Sequence, residues 1–432
     1  MKLSSIIKRF FFLALVVLVF SLPLFAEEGD SLDWDIDSVF DAPPEDSQGE
    51  YAPPEARQEK TPAISSGISA ASLVKPKGIT FDSSFQFIGG IAPGWSEAPW
   101  FDDEDRKFSR SPMAKMRADF GLDAQISAIL RVNTVFYFEI PNYGFHLKTF
   151  FADYSLYDAV FFRAGKYNLS WGISPNFGFT DLLSRVPRDM KAGDSFILKA
   201  DIPVGIGGFQ VLALTRADLM RGTEPKWEDL GYGGKFNLAL RFADFDLGAF
   251  YQENMPLRSF LSVKTTLGKT ELYNEWLAAF DLDEPRNFSG AANIGVVQTF
   301  FNDKFRVNGE LFYNAEGNAF FYQPETSVRD AEISPFISGF NMALNLLYRF
   351  GGKLNPRLFV QALYAPEQKS ARLVPGLRLS PWPHMELYFA VPMALGARDG
   401  YYYKKTADPH DRPFSLVFLL SLKGSVRAGY YY

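Results

Sequence analysis

From Ile79 onward, apolar and polar side chains alternate at period two in stretches about ten residues long. Phe81, Ser83, Phe85 and Phe87 take one face of such a stretch, with Asp82, Ser84 and Gln86 on the other. Met116, Ala118, Phe120 and Leu122 oppose Arg117, Asp119, Gly121 and Asp123. Met342, Leu344, Leu346 and Tyr348 oppose Asn341, Asn345 and Arg349. Successive side chains on a strand point to opposite faces, so each stretch reads as a strand with one apolar and one polar side.

A soluble sandwich alternates in the same way, and three further features decide between the two. A tilted strand needs about ten residues to cross a bilayer, whereas globular strands average roughly five or six. The polar faces carry mixed charge and the apolar faces are rich in aromatics, as a wet lumen and a lipid-facing band require. Finally, the connections are unequal. The long ones surround Trp100, Asn176, Glu224, Glu325 and Tyr402; the tight ones are Ala243, Gly268-Lys269, Asn302-Asp303, Gly351-Gly352 and Pro381-Trp382-Pro383. Long loops outside and short turns on the periplasmic side are the arrangement of an outer-membrane barrel.

The expected fold is therefore all-β: a transmembrane antiparallel up-and-down β-barrel of about 18 strands, with 16 as the alternative, spanning residues 79–432. Thr270–Phe280 fits a helix as well as a strand. Pro413–Tyr432 reads as one long last strand, because Leu416, Phe418, Leu420, Leu422, Val426, Ala428, Tyr430 and Tyr432 keep one phase. A terminal strand ending on aromatics resembles the assembly signal of bacterial outer-membrane barrels, carried here by Tyr430 and Tyr432.

Composition fits this reading. Of the 432 residues 47% are apolar and 16% aromatic, with 43 Phe and 20 Tyr, yet the mean hydropathy is −0.08. The single apolar block, Phe10–Phe20, follows Lys2, Lys8 and Arg9 and precedes Leu24-Phe25-Ala26. That is a secretory signal over residues 1–26. The block is shorter than the roughly 18 residues of a spanning helix. Cys is absent, which excludes a lipoprotein anchor and a disulfide scaffold.

Residues 27–78 form an acidic, Pro-rich linker expected to be mostly disordered. Residues 27–60 hold 12 acids against Arg57 and Lys60, so the net charge of −6 resides there and residues 61–432 are close to neutral. No basic footprint for nucleic acid exists. Within the linker, Trp34–Phe40 interleaves acids with apolar residues and is read either as a motif for a periplasmic partner or as solvated linker. Asp33, Asp35 and Asp37 imitate a calcium loop, but Ser38 and Pro44 stand where Gly and Glu are needed.

Phe161-Phe162-Arg163-Ala164-Gly165-Lys166 leads into Leu169-Ser170-Trp171-Gly172, then Asp181-Leu182-Leu183 and Pro187-Arg188-Asp189. This stretch of about 30 residues resembles the porin superfamily, in particular its alginate-export-like and phosphate-selective members; the acidic tail looks more like exported barrels of spirochaetes. The motif residues carrying the resemblance are Gly165, Lys166, Trp171 and Gly172. It implies that the loop Leu169–Asp194 folds inward and narrows a pore, with Asp181, Arg185, Arg188, Asp189, Lys191 and Asp194 as constriction candidates. Three of each sign would set up a transverse field with weak net selectivity. Alternatively, Arg185 and Asp189 pair to hold the loop.

Lumen-facing candidates by phase are Arg117, Asp119, Arg131, Asn133, Lys199, Asp201, Lys235, Arg241, Asp246, Arg306, Glu310, Arg349 and Arg378. The three histidines, His146, His384 and His410, are isolated, and no nucleophile, phosphate-loop or dinucleotide motif stands in context, so neither an enzyme nor a metal or cofactor is expected. His146 near Lys148 lacks the companions of a general base. Asp102, Asp103, Glu104 and Asp105 are read as a solvated loop face rather than a cation site.

The expected function is an outer-membrane channel for passive diffusion of small hydrophilic solutes. The alternatives are an adhesin or antigen displaying loops 90–112 and 315–337, and a transporter of hydrophobic compounds. Expected partners are outer-membrane lipid and the barrel-assembly machinery, with a homotrimer left open.

Overall fold

The structure is a computed structural model. It describes residues 78–99, 107–141, 143–177, 180, 196–215, 230–252, 256–280, 282, 288–315, 339–397, 400, 402–403 and 413–431. The signal, the linker up to residue 77, Trp34–Phe40, Asp102–Asp105, Asp181–Asp194, the span 316–338 and Tyr432 lie outside them; Gly78, expected in the linker, opens the first strand.

Eighteen strands form one sheet. β1 is Gly78–Ile91, extended by Gly94–Trp95, and β2 is Pro112–Ser127, entered through Phe108–Ser109. β3 is Leu130–Ile140, β4 Gly144–Leu156, β5 Val160–Lys166, β6 Phe196–Val204, β7 Gly207–Thr215, β8 Leu230–Ala239 and β9 Asp244–Gln252. β10 is Leu257–Leu267, β11 Thr270–Phe280, β12 Phe288–Phe300, β13 Phe305–Asn314, β14 Gly339–Arg349 and β15 Arg357–Ala365. β16 is Ser370–Trp382, β17 is Met385–Ala390 continued by Met393–Gly396, and β18 is Phe414–Ser415 continued by Val417–Tyr431. Each pairs antiparallel with the next, and β1 pairs with β18 from Gly78↔Tyr431 to Ile91↔Phe418. That seam closes the sheet into a barrel and leaves it without an edge.

No helix among the described residues is long and apolar enough to cross a membrane, which says nothing against crossing by strands. The alternation sorts the side chains as a lipid solvent demands. Outward residues such as Phe209 (48% exposed), Ile294 (56%) and Leu247 (55%) are bare, while inward Lys199 (2%) and Glu275 (0%) are buried. In water that inversion would cost every exposed aromatic its burial; in a bilayer it is the stable arrangement.

Thr270–Phe280 is a strand, fully paired with β10 and β12. Two expected turns are corrected. Pro381 and Trp382 continue β16, with a register shift between Leu379 and Trp382, because a bulge tolerates a residue that cannot donate to the ladder. The Gly351-Gly352 turn runs from Phe350 to Pro356 and uses positive φ at both glycines.

Candidate pore constriction

The inner face of β2 to β6 carries a ladder of opposite charges, facing at Arg131–Asp153 and Asp153–Arg163 and offset at the other pairs. Arg131 Nε donates to Asp123 Oδ1 at 2.9 Å, and its Nη1 lies 4.0 Å from Asp153. Arg163 grips Asp153 with two bonds, at 2.7 and 3.1 Å. Arg163 stands opposite Lys199, whose ammonium is 2.9 Å from Asp201. The bidentate fork makes the Arg163–Asp153 pair both directional and strong, and Asp153 is only 1% exposed. Nearer the long-loop end Arg117 binds Asp119 at 3.1 Å and lies 4.3 Å over the Tyr137 ring.

The chain leaving β5 turns into the lumen. Gly165 permits this with φ +142°, and a Cβ there would lie 2.0 Å from the Phe150 carbonyl. Tyr167, Trp171 and Phe177 are then buried against inward-facing Phe151, Leu212, Leu214, Phe250, Phe260 and Phe312. Burial pushes the Tyr167 hydroxyl above its ordinary value against the pull of Arg163, so it stays neutral. Phe177 stacks on Phe312 at 4.8 Å, and Trp171 tilts against Phe260 at 5.7 Å. Burying a large aromatic contributes about 1.5–3 kcal/mol, so three of them hold this segment firmly.

Its polar atoms are tied across the wall. Trp171 Nε1 donates to Gln210 Oε1 at 2.6 Å. The Ile173 amide donates to Glu275 Oε1 at 2.9 Å, and the Thr180 hydroxyl reaches the same oxygen. Asn176 Nδ2 donates to Glu310 Oε2 at 3.0 Å, the Ser174 hydroxyl bonds Oε1, and Asn345 Nδ2 donates to Asn176 Oδ1 at 2.6 Å. Asn293 Nδ2 bridges both carboxylates, at 2.7 Å to Glu310 and 3.4 Å to Glu275. Among the described residues no cation pairs with Glu275 or Glu310. These two carboxylates spend their acceptor capacity on loop donors and wall amides and hydroxyls, including Ser262 and Tyr273.

The sequence candidates fall into three places. Lys235 (3.3 Å to Asp246) and Arg378 (to Glu386) are wall pairs like those above, and Asn133 accepts from Thr149. Glu310 belongs to the loop anchor. Arg306 and Arg349 line a pocket of about 290 Å³ at the short-turn end. Arg241 differs from its expected place: β8 ends at Ala239, so Arg241 sits exposed in the turn before β9 instead of on the lumen wall. Lys166 ends β5, Gly172 has φ +128° within the inward segment, and Tyr430 is exposed on β18. The six charged loop candidates from Asp181 to Asp194 lie outside the described residues.

Sequence reading missed Asp153, Gln210, Glu275 and Asn293, and it placed Asp123 on a polar face without counting it among the lumen candidates. Strand phase was available as a signal for each, since all five share the inward phase of their strands. Their significance depends on which loop atom arrives opposite them, and spacing does not carry that.

No protein-family model and no curated protein matches the sequence. Among solved structures the chain is similar to Pseudomonas aeruginosa OpdQ (TM-score 0.51, 7% identity), covering 81% of this chain and 98% of that one. It is also similar to Pseudomonas aeruginosa OccK5 (OpdH), with TM-score 0.50, 9% identity and coverage of 81% and 98%. Acinetobacter baumannii OccAB4 gives TM-score 0.50 at 9% identity, covering 82% and 99%. At such identities the shared property is architecture: the chain has the bacterial outer-membrane porin fold.

Proposed function

We propose that this protein is an outer-membrane channel through which small hydrophilic solutes diffuse passively, with no enzymatic step. One observation carries the reading. The segment after β5 is drawn into the lumen and tied to β7, β11, β13 and β14, while the wall of β2 to β6 carries a charged ladder paired within itself. A barrel built only to display loops has no use for an internal strap of this kind. Eighteen strands enclose enough width for water beside the strap.

The Arg163-to-Gly172 stretch supports assignment among alginate-export-like or phosphate-selective porins, and the acidic Pro-rich tail supports a spirochaete-like source. Export by residues 1–26 and residence in the outer membrane belong to the same proposal. Planar-bilayer recording of refolded mature protein tests it. Discrete conductance steps are expected; a preparation that inserts as folded barrel yet passes no current would overturn it.

A further inference from the structure

The short-turn rim is electrically lopsided. On the side formed by β8 to β15, Arg241, Lys269, Lys304, Arg306, Arg349 and Lys353 have no hydrogen-bond or ion-pair partner for their side chains among the described residues. Lys269, Arg306 and Arg349 converge on the pocket of about 290 Å³, whose other polar lining is Thr266, Glu271, Thr299 and Asp303. The anions nearby are Asp244, Asp303 and Glu271, the last already 3.0 Å from Lys264. On the opposite side the charges are matched: Arg427 with Asp82 at 3.2 Å, Arg131 with Asp123, and Arg378 and Lys423 with Glu386. Unpaired cations gathered on one arc attract an anionic partner.

The chain itself supplies one. β1 starts at Gly78, which pairs with Gln125 beside the short Ser127–Leu130 turn, so everything N-terminal to it enters from this rim. Between Asp41 and Glu59 the sequence carries Asp41, Glu45, Asp46, Glu50, Glu55 and Glu59 against the single cation Arg57. Glu59 is 19 residues before Gly78, a reach of roughly 60 Å when extended. An 18-strand barrel is about 35 Å across between backbones. The acids can therefore reach the far arc, and tethering raises their local concentration there to about the millimolar range.

We infer that the acidic segment Asp41–Glu59 docks on the cationic arc of β8 to β15, at the pocket of Lys269, Arg306 and Arg349.

The chain has no cysteine, so paired cysteines in the full mature protein report the docking directly. Ser47→Cys is combined with Thr266→Cys in the pocket, or with Ser425→Cys on the inner face near β1, and a bifunctional thiol reagent is applied. A tail wandering on its tether favours the near position. Docking predicts the Thr266→Cys pair to cross-link at least about fivefold more than the Ser425→Cys pair at low salt. That preference should vanish near 1 M salt, where the screening length falls to about 3 Å, and in the K269E/R306E/R349E variant. A near-arc yield equal to or above the far-arc yield, or a far-arc preference indifferent to salt, overturns the inference. The readout does not require conduction, so it fails or succeeds separately from the channel proposal.

Discussion

The two halves of the inner wall solve the same electrostatic problem differently. On β2 to β6, Asp123, Arg131, Asp153 and Arg163 neutralise one another strand to strand, and Lys199 pairs with Asp201 along β6. On β9 to β14 the wall is apolar at Phe250, Phe260, Leu277 and Phe312, and its two buried carboxylates have no cation partner among the described residues. Glu275 and Glu310 are instead satisfied by the strap that covers them. The ion pairs of the first wall lie within the wall itself; the carboxylates of the second take donors from the strap. A barrel can thus hold one flank by buried ion pairs of its own wall while the other recruits a segment into the bore.

The largest test of this contrast removes Arg163. Arg163→Ala leaves Asp153, 1% exposed, with the 4.0 Å contact to Arg131 as its one ion pair among the described residues. An uncompensated buried charge costs about 3–5 kcal/mol, measurable as a lower urea midpoint of the folded barrel in lipid vesicles. The double change R163A/D153A should recover most of that loss, because it removes both charges together. If the double variant stays as unstable as the single one, the ladder is not self-contained.

On the other flank, E275A/E310A leaves the Ile173 and Asn176 amides and the Thr180 and Ser174 hydroxyls without their acceptors. Each charged hydrogen bond contributes roughly 1.5–3 kcal/mol, and the losses fall on the strap rather than the sheet. Larger single-channel steps and protease cleavage within 167–180 are expected, with the heat-modifiable mobility of the barrel kept. Unchanged steps would mean the strap is held by its aromatics alone. A smaller effect, about 1–3 kcal/mol, is expected from Gly165→Ala, which forces a side chain onto φ +142° against the Phe150 carbonyl. It should shift the strap without touching the β2–β3 ladder, so conductance changes while charge selectivity does not.

The barrel itself was legible because period-two alternation, strand length and unequal connections are local properties, and lipid rewards them at every second residue. The span Thr270–Phe280 shows where legibility ends. Leu272 and Trp276 face outward, but Tyr273 and Leu277 face inward, so both phases are apolar and the stretch fits a helix equally well. The alternation blurs there because the strap, not water, covers that inner face. The resemblance around Trp171-Gly172 pointed to an inward loop, yet the residues that receive it lie 39 to 169 positions beyond their partners in the chain, from Gln210 to Asn345. Contacts of that separation leave no periodic trace.

The smallest predicted effect lies at the closing seam. Arg427 Nε and Asp82 Oδ1 are 3.2 Å apart across β1 and β18, but the two side chains are 47% and 50% exposed. An ion pair that wet is worth about 0–1 kcal/mol, and salt screens it further. The seam instead rests on fourteen paired residues from Gly78 to Ile91, whose backbone groups have no alternative partner in lipid. Asp82→Ala should therefore change the urea midpoint by an amount equivalent to less than about 0.5 kcal/mol. A loss comparable to that of Arg163→Ala would mean that exposure does not separate the strong pairs of this wall from the weak ones. Burial, rather than the presence of opposite charges in register, would then have to be abandoned as the reason the Asp153 ladder holds.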